Sequence, residues 1–163
     1  MLYTVEGPLR ALVLEFDQPS FVLRRTKISH VATVRHQFKS LEALRSAGRR
    51  CGLELIMDAR SFRNYNNRMT PCDHVLRVTG NTAAWEIGIK AKVGQQGVEY
   101  DLLYDGFMGG AGLIEHTRNQ HGDLNRLITY YEEEAALEQF TAEGWMVERI
   151  EHSNGDLELI GTR

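Results

Sequence analysis

Leu124, Leu127, Ile128, Tyr131 and Ala135 recur at intervals of three and four residues, one apolar stripe on a 3.6-residue period. The pattern predicts a helix over residues 123–143. Asp123 is placed to cap the free amides of its first turn, and Gly144 to end it in a left-handed conformation. At helical rise such a segment is about 30 Å long, the width of a small domain. Beyond the glycine, Trp145, Val147 and Ile150 mix with Glu148, Arg149 and Glu151 as in a strand. Ser153, Asn154, Gly155 and Asp156 supply a turn, and Leu157 and Leu159 alternate with Glu158 in a return strand. The expectation is a helix followed by a hairpin, with Trp145 largely buried between them.

The period shortens towards the N-terminus. Residues 2–5 and 9–16 read as short strands divided by Gly7 and Pro8; residues 17–20 read as a turn and 21–23 as a further strand. Residues 29–38 form a strand pattern. Ser40 then caps a helix carrying Leu41, Leu44, Ala47 and Cys51, with Gly52 as its stop, and residues 53–57 read as the next strand. Residues 60–68 hold three arginines, three asparagines and two aromatics without periodicity, the mark of a loop or sheet edge. Residues 74–79, 83–91 and 98–104 read as strands, followed by a glycine-rich connection over 106–112 and a link over 114–121.

The order is β-α-β, a meander, then α-β-β. It predicts an α+β fold: an antiparallel or mixed sheet with two helices on one face, a ferredoxin-like core, and a split β-α-β unit of right-handed crossover. Residues 1–28 are expected to be a β-rich N-terminal extension to a single core domain over residues 29–163.

Composition narrows the class. Hydrophobic residues at 42% and charged residues at 25% suit a globular domain. No apolar run reaches the ~20 residues of a membrane span, so no membrane partner is expected. The start of the chain shows no secretory pattern, and two cysteines, Cys51 and Cys72, fit a reducing compartment without disulfides. The expected location is cytoplasmic. The net charge of −3 is unevenly spread: 13 Lys and Arg stand against 7 Asp and Glu in residues 1–80, and 6 against 15 in residues 81–163. Charges scattered in this way fit opposite faces of one fold better than a polyanion-binding run.

Candidate chemistry is sparse. Cys51, Cys72, His74 and His30 lack the paired spacing of structural zinc, and His116 and His121 lack a matching cysteine pair. Cys51 lies on a helix stripe, where burial explains it better than nucleophilic catalysis. Gly112 is followed by Leu113, Ile114 and Glu115, so the glycine-rich stretch lacks the Gly-Lys-Ser/Thr ending of a phosphate loop. Glu132, Glu133 and Glu134 are adjacent, which points them apart on a helix, and they read mostly as a solvated face. No catalytic residue, metal ligand or cofactor is assigned. The candidate binding residues are His30, Arg63, Tyr65, Asn67 and Arg68: arginine forks suit phosphate or carboxylate, and Tyr65 offers a stacking face. The plainer account of the same loop is turn hydrogen bonding.

Ser29-His30, Leu41-Glu42-Ala43-Leu44 with Gly52, Arg63-Asn64-Tyr65, Trp85-Glu86-Ile87-Gly88, and the final helix from Arg126 to Gly144 with Trp145 after it occur in an order that resembles one family. It is that of the hypothetical chloroplast reading frame 35 proteins, also called domain of unknown function 1257, small proteins of cyanobacteria and plastids. The resemblance covers residues 29–161. It departs at residues 1–28, in the longer stretch over 106–121, and at Glu132-Glu133-Glu134. It implies no activity, only a loose association with AAA-type ATPase and ferredoxin neighbours. The expected function is therefore a non-enzymatic binding or adaptor protein acting through protein–protein contacts, with an AAA-type ATPase as one partner class. The alternative is a nucleic-acid or nucleotide-binding module using the 60–68 loop, and the second alternative a metal-dependent hydrolase.

Overall fold

The computed structural model describes residues 3–5, 31–95, 97–151 and 157–162. The chain divides into two compact units, one of residues 1–19 with 135–163 and one of residues 20–134. The expected strands over 9–16 and 21–23, the turn over 153–156 and His30 lie outside the described residues.

The elements run β1 (Tyr3–Val5), β2 (Val31–Phe38), α1 (Leu41–Arg50), β3 (Leu53–Ile56), β4 (Ser61–Arg63), β5 (Met69–Pro71), β6 (His74–Val78), β7 (Ile87–Gly94), β8 (Gly97–Asp105), α2 (Leu113–Thr117), α3 (Asn125–Ala142), β9 (Met146–Glu151) and β10 (Leu157–Thr162). Mixed helices and antiparallel sheets make the protein α+β.

The larger unit is built on a five-stranded sheet of order β2-β8-β7-β6-β3, antiparallel at every pairing. Alternation of direction leaves β2 and β3 parallel at opposite edges. The β2-α1-β3 unit is thus split by three strands, and β6, β7 and β8 return across the gap as a meander. The strands that follow α3 pair in a sheet of their own.

Cross-strand partners share a face, so Leu53, Leu76, Val78, Ile87, Ile89, Leu102 and Val34 line one side of this sheet; all are buried. Helix α1 packs there. The Ser40 hydroxyl accepts from Ala43 N at 3.0 Å to start it, and Ala43, Leu44, Ala47 and Gly48 form its buried face. A Cβ at Gly48 would stand 3.0 Å from Leu76 Cδ2, so the helix approaches as closely as glycine allows. The first half of α3 contributes Leu127, Ile128 and Tyr131. The Tyr131 ring meets Phe38 edge-on at 4.8 Å, and its hydroxyl accepts from Lys39 N at 2.7 Å. Val75, Ile56, Leu103 and Val31 belong to the opposite side, where Phe62 and Cys72 complete a second cluster.

Three expectations shift. The strand expected over 83–91 begins only at Ile87, because Asn81 Oδ1 accepts from Ala83 N and Ala84 N and curls the chain into a turn. The Asp123 carboxylate takes the Arg118 guanidinium at 2.7 and 3.0 Å, and α3 starts two residues later. Glu133 is buried rather than solvated, because the Arg50 guanidinium binds both Glu133 and Glu134.

In the smaller unit β1 pairs in parallel with β10, which pairs antiparallel with β9 as the sequence predicts. Phe140 and Leu159 form its buried centre, with Ala136, Leu137, Trp145 and Val147 packed around them. Trp145 lies between helix and hairpin but is only half-buried. Its ring sits above Gly161, which offers no side chain to cover it, and its Nε1 donates to Glu143 Oε2 at 3.4 Å on the exposed side.

Candidate binding site

Residues 61–63 form β4, which pairs with β5 in a two-stranded sheet of their own, and residues 64–68 turn between them; Arg60 lies at the base of this hairpin, where its carbonyl accepts from Cys72 N at 3.0 Å. Phe62 anchors it in the cluster with Cys72 and Val75. Asn64 closes the loop: its N–H donates to Arg68 O at 2.9 Å and its Nδ2 to Thr70 Oγ1 at 2.7 Å. Asn66 and Asn67 take positive φ of 56° and 55°, a conformation asparagine tolerates better than most residues.

Arg63 faces inward. Its Nη2 donates to the Thr82 carbonyl and, at 2.7 Å, to the Ala84 carbonyl. Its backbone N–H donates to Glu86 Oε2 at 2.8 Å, and Glu86 N returns a bond to Arg63 O at 3.0 Å. Glu86 is itself buried, with Oε1 held by Arg77 Nε at 3.0 Å. The fork that suits an anionic ligand therefore fastens the hairpin to the 81–86 turn.

Tyr65, Asn67 and Arg68 remain at the tip, with Asn67 and Arg68 exposed. Tyr65 meets Trp85 at 5.7 Å and Phe107 at 5.2 Å between ring centroids, nearly perpendicular in both cases. Phe107 is 41% and its neighbour Met108 is 83% exposed. Sequence reasoning missed Trp85 and Phe107 as partners of Tyr65, because they follow it by 20 and 42 positions and lie in turns without a period. The only local signal is an aromatic beside a stretch rich in glycine.

That stretch is ordered by its own geometry. Met108, Gly109, Gly110 and Ala111 are four consecutive left-handed residues, with φ between 49° and 75°. Two of them carry a side chain, at about 1–2 kcal/mol each. Gly110 O accepts from Trp85 N at 3.0 Å, and the buried Asp105 accepts from Phe107 N at 3.0 Å. These bonds hold Phe107 against Tyr65.

The other candidates are tied into the fold. Burial pushes the thiols of Cys51 and Cys72 up to about 11, against thiolate chemistry near neutral pH. His74 Nδ1 accepts from Asp58 N at 3.1 Å, His116 Nδ1 lies 3.1 Å from Cys51 O, and His121 contacts Gln120. Among the described residues no three His, Cys, Asp or Glu side chains gather in a way that would hold a metal ion, and no helix is long and apolar enough to cross a membrane. The chain matches no model of a known protein family, no curated protein and no solved structure.

Proposed function

We propose that the protein is a non-enzymatic binding or adaptor protein that meets another protein through the surface formed by Tyr65, Trp85, Phe107 and Met108. The observation that carries this reading is the exposure of Phe107 and Met108 beside a tyrosine–tryptophan pair. Aromatic and methionine side chains with arginine at the margin are the composition enriched in protein interfaces, and aromatic anchors supply most of their energy. The hydrogen bonds from Trp85 N to Gly110 O and from Phe107 N to Asp105 fix the backbone beneath these two anchors, so little backbone freedom is lost on binding. Kinship with the reading frame 35 proteins is part of the same proposal and adds no activity to it.

The test is site-specific photocrosslinking. A photoreactive phenylalanine derivative replaces Phe107, with a control at Val93, which is 94% exposed on the β7–β8 hairpin. Protein adducts from position 107 and not from 93 support the reading. Nuclease-sensitive adducts would replace it with nucleic-acid binding, and equal labelling from both positions would overturn it.

A further inference from the structure

Every methionine among the described residues is exposed: Met57, Met69, Met146 and, most of all, Met108. Methionine is usually a core residue, so this reverses the common pattern. Both cysteines are buried instead, with their thiols pushed up to about 11, which leaves little thiolate for an oxidant. Met108 has a second peculiarity. Its φ of 49° and ψ of 34° are left-handed, like those of Gly109 and Gly110 beside it. Glycine adopts that conformation freely, whereas an L side chain is strained there. An exposed side chain regains little of that cost through packing. Glycine at 108 would therefore serve the fold better, and a residue kept against stability points to a role outside the fold.

Resting on the protein-contact reading above, we propose that Met108 is a site of reversible oxidation by peroxide, and that its sulfoxide releases the partner protein. The Met108 sulfur attacks one peroxide oxygen with a lone pair, and the S–O bond forms as the O–O bond breaks. The proton on the transferred oxygen passes to the departing hydroxide, leaving the sulfoxide and water; sulfur is oxidised and peroxide reduced by one electron pair. A thioether is apolar, whereas a sulfoxide oxygen needs a donor once water is removed from it. The Met108 side chain is 83% exposed on a turn fastened by the bond from Trp85 N to Gly110 O. The free protein therefore accepts the added oxygen without disturbing its core. The cost falls on the bound state alone, and that difference is what shifts a binding equilibrium.

The experiment uses the full chain with the photoreactive residue at position 107, treated with hydrogen peroxide, freed of it by catalase and irradiated in a cell lysate. Peptide mass spectrometry should find oxygen on Met108 with Cys51 and Cys72 still reduced, and the melting midpoint should not move. Adduct yield should fall roughly tenfold. A methionine sulfoxide reductase, which removes the oxygen as water while a dithiol becomes a disulfide, should restore it. Met108→Leu keeps an apolar side chain and the other methionines, so its adducts should survive peroxide. Met108→Gln, polar and of similar length, should give few adducts without it. Adducts that persist once Met108 is fully oxidised, or a loss that Met108→Leu shares, would overturn the switch and leave the contact surface standing. Oxidation of a cysteine before Met108 would do the same. A protein that yields no adduct before treatment would overturn both.

Discussion

The Phe62 ring fills the space in which any residue other than glycine at position 88 would place its Cβ. A methyl group there would stand 2.3 Å from Phe62 Cδ1 and 2.7 Å from Cε1. This contact seats the β4–β5 hairpin on the open side of the sheet. Gly88→Ala is expected to destabilise by about 1–3 kcal/mol through overpacking, and Phe62→Ala by about 3–5 kcal/mol through the cavity it leaves. In the Phe62→Ala background the alanine at 88 should cost close to nothing. Urea unfolding of the four proteins measures this, and additive penalties would show that the two residues do not meet.

Arg63 and Arg68 should separate cleanly. Arg63→Ala leaves the Thr82 and Ala84 carbonyls without their donor and should destabilise by about 1–3 kcal/mol. Arg68 is exposed, so Arg68→Ala should stay within about 0.5 kcal/mol. Thermal melts decide it, and equal midpoints for the two variants would contradict the inward-facing fork.

Burial lowers the pKa of His36 from its ordinary 6.5, between the Phe38 ring at 4.8 Å and the Tyr131 ring at 6.0 Å. A depressed folded-state pKa means that the unfolded chain binds the proton more readily. Stability is therefore full above 6.5 and is lost as pH falls through and below that value. Glu132, 3.6 Å away, is raised above 4.5 by burial and acts in the opposite sense, its penalty fading on acidification. Denaturant midpoints at intervals from pH 7.5 to 5 should fall, and His36→Gln should flatten that slope. An unchanged slope would remove His36 as its source.

Trp145→Ala should cost about 1–3 kcal/mol, below the 3–5 kcal/mol of a fully enclosed aromatic, because one side of the indole faces solvent. Tryptophan fluorescence of a Trp85→Phe protein isolates this residue; an emission maximum typical of a dry interior would contradict half-burial.

With thiols pushed up to about 11, about one cysteine in a thousand is ionised at pH 8. Iodoacetamide at that pH should leave Cys51 and Cys72 unmodified in the native chain and label both in urea. Rapid native labelling of either would reopen a reactive role for it.

Local chemistry made much of the fold legible. Ser40 does cap α1, the α3 stripe is buried at Leu127, Ile128 and Tyr131, and Gly144 ends that helix region with φ of 80°. These signals act within one helical turn, so the sequence carries them directly. The site was less legible because it depends on contacts far along the chain. Nothing near Arg63 in sequence announces carbonyls at 82 and 84, and nothing near Tyr65 announces Trp85 or Phe107. Residue type suggested a binding role for an arginine whose geometry makes it a fastener. Glu133 looked solvated for the same reason, since Arg50 lies 83 positions away.

The parallel pairing of Tyr3 with Leu159, Thr4 with Ile160 and Val5 with Gly161 has a mechanical meaning. The chain leaves this ladder at Tyr3 on one end and at Thr162 on the other. Tension through the flanking chain would pull the two strands past one another along their axes. The rungs would then bear the load together in shear, whereas an antiparallel pair pulled from its open end unzips one rung at a time. The force would pass from strand to strand and bypass the polypeptide between them. A tether of three rungs would thus act as a mechanical fuse, yielding as a unit before the intervening chain is stretched.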